Sequence, residues 1–498
     1  MVEGVMPVLR QVRRVSIVLG FGLLGSILPS SLALAALCPA QLATQLNAAL
    51  DQAPLDTAYT GMMLQTQGQN PRTIYDRNGD RLFTPASNIK LLTTAAAAHQ
   101  LGGYYRLRTS VYGSPNAEGI AALRVVGRGD PSFSTAQVDN LAQQLAQAGV
   151  RQVSRLVIDD SYFPGFATNP TWEWEDAQWA YAAPVNSLIL NRNAIALQVA
   201  PTQVGNPLSL TWSQLLPAGP LPLANDTATV AAGATVNSLT LWRTGGTPTL
   251  RVTGQMAQGS SPQTFNLAVL DPAQQFAAAM EQALRRQSIA VGQTVINQNS
   301  VPIAGEELAA VESPEVRDLM RVANRDSDNL YAEALFKTMG VTAGGNITEG
   351  DDVAEASQAG GEAVKAALAE LGVDTAALRL RDGSGLSRHN LVSPDALVET
   401  LQVMTAHPQG QFFRESLAIA GQSGTLSNRL RGTVLEGRLQ GKSGALTGNV
   451  SLSGYLQPPS YEPLVFTIVI NHSNQHASLL RRKIDDMVLL VAQLREGC

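Results

Sequence analysis

The sequence predicts an α/β (α+β) chain in which one sheet is assembled from both ends and a β-rich stretch is inserted between them. Three observations predict it. The N-terminal part reads helix–strand–strand, the C-terminal part reads strand–strand–strand–helix, and the character of the chain changes between roughly residues 101 and 300. With 498 residues the chain is long enough for two or three domains around a large core.

Leu42, Leu46, Ala49 and Leu50 recur at helical spacing and open the first element. Residues 57–68 and 73–76 then read as strands, and Asn78-Gly79-Asp80 as the turn after them. Near the other end, residues 438–446, 450–456 and 464–471 read as strands. A helix with Leu480, Ile484, Met487, Val488 and Val491 on one face comes after them. In the middle of the chain Gly, Pro, Thr and Gln increase, and short alternating runs such as 238–242 and 249–254 keep a regular apolar content, which marks β structure rather than disorder. Asp271-Pro272 caps a helix expected to run to about Arg286, and from Ser313 onward the pattern is mostly helical. The expected division is therefore one domain built from residues 36–100 and 301–498, with residues 101–300 inserted as one or more β-rich domains.

Residues 1–35 read as a secretory signal peptide: Arg10, Arg13 and Arg14 precede an apolar run from Val15 to Leu37, and Ala33-Leu34-Ala35 fits the small-x-small cleavage rule. The run is also long enough to span a bilayer, so a retained anchor and peripheral membrane contact stay open beside cleavage; Gly20, Gly22, Gly25 and Pro29 inside it favour cleavage. The expected location is extracytoplasmic, the periplasm. The net charge of −5, from 35 basic and 40 acidic residues, and the 5% aromatic content give no basis for a nucleic-acid partner. No H-E-x-x-H string or ligand cluster suggests a metal, and no cofactor is expected.

The chemistry lies in three strings: Ser87-Asn88-Ile89-Lys90, Ser327-Asp328-Asn329 and Lys442-Ser443-Gly444. Ser87 precedes a strongly helical run, so it sits at a helix N-terminus, where backbone N–H groups favour developing negative charge. Lys90 lies one turn further on the same face. A serine hydroxyl needs an adjacent base, and a desolvated lysine crowded by another cation such as Lys442 can be that base. Ser327 can relay a proton to a leaving amine, and Asn329 can hold a substrate amide and the Lys90 ammonium; Ser327 is also a candidate helix cap. Lys442 and Ser443 on one strand suit a terminal carboxylate, and Gly444 lets a substrate backbone approach closely. The five histidines, His99, His389, His407, His472 and His476, have no G-x-S-x-G elbow with them, so a Ser-His-Asp scheme is disfavoured.

S-x-x-K, S-D-N and K-[ST]-G in this order are shared by penicillin-binding proteins and class A β-lactamases. Ser87 and Ser327 lie 240 positions apart, much further than in the latter, and Ser327 and Lys442 lie 115 apart. The long gap resembles the D-alanyl-D-alanine carboxypeptidase/endopeptidase family of class C, type-4 penicillin-binding proteins. Pro85-Ala86-Ser87-Asn88, Gly129-Asp130-Pro131, Tyr181-Ala182-Ala183-Pro184, Asp382-Gly383-Ser384-Gly385-Leu386-Ser387-Arg388 and Gly424-Thr425-Leu426 with Arg429 carry the resemblance, which spans about residues 40 to 496. It implies a penicilloyl-serine transferase fold, an antiparallel sheet with helices on both faces, and peptidoglycan stem peptides and β-lactams as ligands. It implies that Ser87 is acylated by the penultimate D-alanine, with the backbone N–H groups of Ser87 and Ala445 as oxyanion hole. It implies that Arg388 and an acidic residue of the insertion, Asp160 or Asp159, recognise the diamino acid of the stem.

Two departures bear on substrate detail. Ala445 stands where the family has a hydroxyl, which removes one hydrogen bond worth about 1 kcal/mol. Ser423 stands where it has aspartate. A β-lactamase or D-amino-acid esterase would use the same residues and differ in how fast the acyl-enzyme hydrolyses. A non-catalytic peptidoglycan-binding protein would not require the set. Cys38 and Cys498, the only two cysteines, are expected to form a disulfide: antiparallel first and last strands would bring the start of the first helix to the end of the last.

Overall fold

The computed structural model describes residues 37–113, 120–214, 217–219, 221–243, 247–299, 304–343 and 356–497. The expected signal peptide and Cys498 lie outside the described residues. The main sheet has six strands, numbered along the chain: β1 (Tyr59–Thr66), β2 (Thr73–Arg77), β3 (Ala418–Ile419), β4 (Leu439–Leu446), β5 (Asn449–Leu456) and β6 (Leu464–Asn471). Their order is β3-β4-β5-β6-β1-β2, every pairing antiparallel. The ends of the chain meet at β1 and β6, where Tyr59 pairs with Asn471 and Thr66 with Leu464.

Both faces of this sheet are covered, which is why β5 and β6 are buried along their whole length, polar residues such as Ser451, Ser453 and Thr467 included. Alternate residues serve opposite cores. Met62, Leu64, Phe466, Ile468 and Ile470 pack with the first helix (Pro39–Asp51) and the last (Ala477–Val491). Met63, Val465 and Tyr455 pack with the helices Ile89–Gln100, Val316–Arg325, Asn329–Thr342 and Pro394–Ala406. Leu480, Ile484, Met487, Val488 and Val491 form the buried stripe that the sequence predicts for the last helix.

Three further sheets come from residues 106–315. One has five strands and carries the helices Thr135–Gln147 and Pro272–Arg286, whose apolar faces close a separate core around Leu123, Leu156 and Ile158. The other two have three strands each and share a small core around Leu197, Leu250 and Val252. Asp271 caps the helix at Pro272, its carboxylate accepting from the Gln274 N–H, as the sequence predicts.

The chain turns back after its last helix. The Leu37 N–H donates to the Gln493 carbonyl at 2.9 Å, and the Arg495 N–H donates to the Leu37 carbonyl at 3.2 Å. Cys38, the next residue, is disulfide-bonded.

Candidate active site

Ser87 lies in a one-turn 3₁₀ segment, Ala86–Asn88, that runs into the Ile89–Gln100 helix. Ala86 is held at φ +49°, and Gly385 packs so closely on it that a Cβ there would lie 1.9 Å from the Ala86 carbonyl oxygen. The turn is fixed further by Asn88, buried beneath it, whose Nδ2 donates to Ser453 Oγ at 2.6 Å.

Lys90 is fully buried and donates to three acceptors: Ser87 Oγ at 3.0 Å, Asn329 Oδ1 at 2.7 Å and the Ser384 carbonyl at 2.6 Å. Burial lowers its pKa to about 7, against the opposing pull of Asp382 and Glu333. Crowding by Lys442 is the cause expected from sequence; desolvation is the cause found, because the helix that carries Lys90 is buried almost all round.

Lys442 on β4 is equally buried and donates to Ser327 Oγ at 2.7 Å and to the Ser443 carbonyl at 2.8 Å. Burial, then Lys90, lowers its pKa well below that of a free lysine. Ser327 does not cap the following helix. Asp328 does, accepting from the Tyr331 N–H, and Ser327 stands one residue earlier at φ +62° with its hydroxyl on Lys442. Asn329 spends its amide N–H on the Tyr181 carbonyl at 2.8 Å. Gly444 is explained by protein rather than substrate: a Cβ would lie 2.3 Å from Ser451 Oγ and 2.8 Å from the Pro85 carbonyl oxygen, so β4 could not approach the Ser87 turn.

Two adjoining cavities open on these groups. Ser87, Ser327 and Ala445 line both. The first, about 460 Å³, is completed by Thr425, Ser443, Gly444 and two arginines. Ser443 Oγ donates to Thr425 Oγ1 at 2.8 Å. Ser423, near Thr425, accepts from the Ile419 N–H at 3.1 Å, so that departure serves a local turn. None of the five histidines lines either cavity, and no cluster of metal-binding groups occurs among the described residues.

The second cavity, about 340 Å³, carries Asn329, Arg388, Glu173, Asp176 and Tyr181. Arg388 Nε donates to Glu173 Oε1 at 2.7 Å, and its Nη1 donates to the Thr447 carbonyl at 3.0 Å. Asp160, expected to be the acidic partner here, does not line this cavity. Its Oδ1 accepts from Asn186 Nδ2, the Ser187 N–H and the Leu188 N–H, and burial pushes its pKa up to about 6. Asp159 is likewise committed, to Arg124 and Ser161. Glu173 and Asp176 supply the acidic groups of the cavity instead, and nothing in their sequence distinguishes them from other acidic residues of the insertion.

Glu333 and Asp382 hold the wall behind Lys90. Glu333, fully buried, accepts from the Gly383 and Ser384 N–H groups, and burial beside Asp382 raises its pKa. Asp382 accepts from the Gly385 and Ser387 N–H groups, Asn390 Nδ2 and Trp172 Nε1. The carbonyl offered to Lys90 is that of Ser384, so these two carboxyl groups aim it. An acidic residue inside the apolar run Leu330–Phe336 is the one sequence signal for Glu333.

A serine within reach of a buried lysine at a helix start, a second serine on a second buried lysine, and a hydroxyl-lined cavity define a serine acyl-enzyme hydrolase of the penicilloyl-serine transferase fold. Residues 42–494 match the D-Ala-D-Ala carboxypeptidase 3 (S13) family, and the chain belongs to it. It is 34% identical over 458 residues to a D-alanyl-D-alanine carboxypeptidase of Actinomadura sp. (strain R39), covering 88% of this chain and 82% of that one. It is 25% identical to the D-alanyl-D-alanine carboxypeptidase DacB of Haemophilus influenzae, over 82% of this chain and 85% of that one. The crystal structure of penicillin binding protein 4 (dacB) from Haemophilus influenzae superimposes with a TM-score of 0.77 at 24% identity, covering 90% of this chain and 99% of that one. The same protein has been solved with a β-lactam bound.

Proposed function

We propose that the protein is a serine D-alanyl-D-alanine carboxypeptidase, with endopeptidase action on cross-links, that works on peptidoglycan stem peptides outside the cytoplasmic membrane and is acylated by penicillin at Ser87. The observation that carries this is the hydrogen bond from Lys90 to Ser87 in a buried setting that keeps a large fraction of the amine neutral at neutral pH. Neutral Lys90 takes the Ser87 proton as Oγ attacks the penultimate D-alanine carbonyl. The backbone N–H groups of Ser87 and Ala445 receive the oxyanion. Ser327, held by Lys442, passes a proton to the departing amine. Water then adds to the ester and releases the shortened stem and the Ser87 hydroxyl. Arg388, with Glu173 and Asp176 around it, reads the carboxylate and amine of the stem's diamino acid.

Incubation with purified muropeptides tests this. Free D-alanine from pentapeptides, or monomers from cross-linked dimers, is expected from the wild type and absent from Ser87→Ala. A fluorescent penicillin should remain bound; rapid turnover of it would instead identify a β-lactamase.

A further inference from the structure

The first cavity holds more positive charge than its hydrogen-bond network consumes. Two arginines line it, Arg429 and Arg481. Arg429 is committed: its Nε and Nη2 both reach the carboxylate of Asp485, at 3.1 and 2.7 Å. Arg481 lies one turn before Asp485 on the same helix, is exposed, and forms no ion pair among the described residues. Lys442 does not compete for a ligand here, since it is buried behind the cavity and donates to Ser327 and to the Ser443 carbonyl. The hydroxyls of Thr425 and Ser443, already in contact with each other, line the cavity with Arg481, and Ser87 lines the same space. An uncommitted guanidinium, two hydroxyl groups and a nucleophile around one cavity form a receptor for an anion held next to a scissile bond. The hydroxyl missing at Ala445 leaves that receptor short of one neutral donor.

We propose that Arg481 is a specificity-determining residue that binds the carboxylate adjoining the scissile amide, the α-carboxylate of the leaving D-amino acid. The assignment rests on the peptidase reading above. It places the charge of the subsite on the C-terminal helix, with Thr425, which accepts from Ser443, donating to the same carboxylate. Arg429 with Asp485 sets the position of that helix against the Gly424–Leu426 turn.

The test compares kcat/KM for diacetyl-L-lysyl-D-alanyl-D-alanine and for its C-terminal amide, in the wild type, Arg481→Gln and Arg481→Lys. The wild type is expected to prefer the acid. Arg481→Gln should lose at least about tenfold on the acid, equivalent to about 1.4 kcal/mol of barrier, and stay within about twofold on the amide. Arg481→Lys should recover part of the preference. An acid-to-amide ratio unchanged in Arg481→Gln, or a wild type indifferent to the amide, overturns the assignment while leaving the peptidase intact. Equal loss on both substrates in Arg481→Gln and Arg481→Lys assigns the residue to folding and overturns it too. A wild type that cleaves neither substrate overturns the peptidase reading together with this one.

Discussion

Lys442 Nζ donates to Ser327 Oγ at 2.7 Å, across 115 positions of sequence. The serine is therefore an acceptor toward its lysine and keeps its own proton for the cavity. Ser87 stands in the same relation to Lys90, at 3.0 Å. Two serine–lysine pairs thus face one space, and what separates their roles is position. Ser87 is in the turn that opens the Ile89–Gln100 helix, and Ser327 is at φ +62° in the approach to the Asn329 helix.

The nucleophile assignment gives a mass-spectrometric expectation. Benzylpenicillin should add once per chain, and the adduct should map to the peptide containing Ser87. Ser327→Ala should still become acylated, more slowly. An adduct that persists in Ser87→Ala would move the nucleophile elsewhere.

Acylation should follow the neutral form of Lys90. With a pKa lowered to about 7 by burial, the rate constant for acylation should rise with pH and level off above about 8. Stopped-flow measurement with a chromogenic cephalosporin reads it directly, and Lys90→Ala should fall by far more than tenfold. The sign for stability runs the same way. The unfolded chain keeps this proton up to about 10.5 and the folded chain releases it near 7. Between those values folding is favoured as pH rises, by up to about 1.4 kcal/mol per unit. The stability of wild type relative to Lys90→Met should increase across that window in denaturant melts.

Asp382 should behave as a structural charge. Its carboxylate accepts from two backbone N–H groups, Asn390 and Trp172, all in buried surroundings. Asp382→Ala leaves those donors unpaired and should cost at least about 3 kcal/mol in urea unfolding. Trp172→Phe removes one donor and should cost about 1 kcal/mol. A melt unchanged in Asp382→Ala would contradict the arrangement.

Thiol chemistry tests the closure of the chain. Cys38 is disulfide-bonded, and Cys498 is the one other cysteine in the sequence. Denatured, unreduced protein should titrate no free thiol and run as a monomer on a non-reducing gel. Two thiols per chain would refute the bridge, and a dimer would place it between chains.

The legible parts of this molecule are those where a local pattern and a long-range requirement coincide. Residues 464–471 read as a strand and form one over the same span, because burial on both faces favours the β-branched and apolar residues that make up most of it. The short edge strand Ala418–Ile419 gives two residues of signal, too few to read. The three motifs are readable because their chemistry needs fixed residue types at close spacing. Glu173 and Arg481 are not, because each reaches the cavity from a remote element and carries no motif. Asp160 is offered by the resemblance alone, and no local pattern could show that its carboxylate accepts from Asn186, Ser187 and Leu188. The need for glycine at position 444 is readable, but its neighbour is not, since Pro85 lies 359 positions away.

The insertion grips two of the strings that build the cleft, 327–329 and 382–388. Tyr181 takes the amide of Asn329, Arg192 pairs with Asp328, Glu173 with Arg388, Thr171 with Ser387 and Trp172 with Asp382. The segment is therefore not modular. A chain relieved of it would lose an acceptor, two ion pairs and two hydrogen-bond donors around the cleft at one stroke. Within this chain the load falls on residues 171–192, while the two outer three-stranded sheets contribute none of the five contacts.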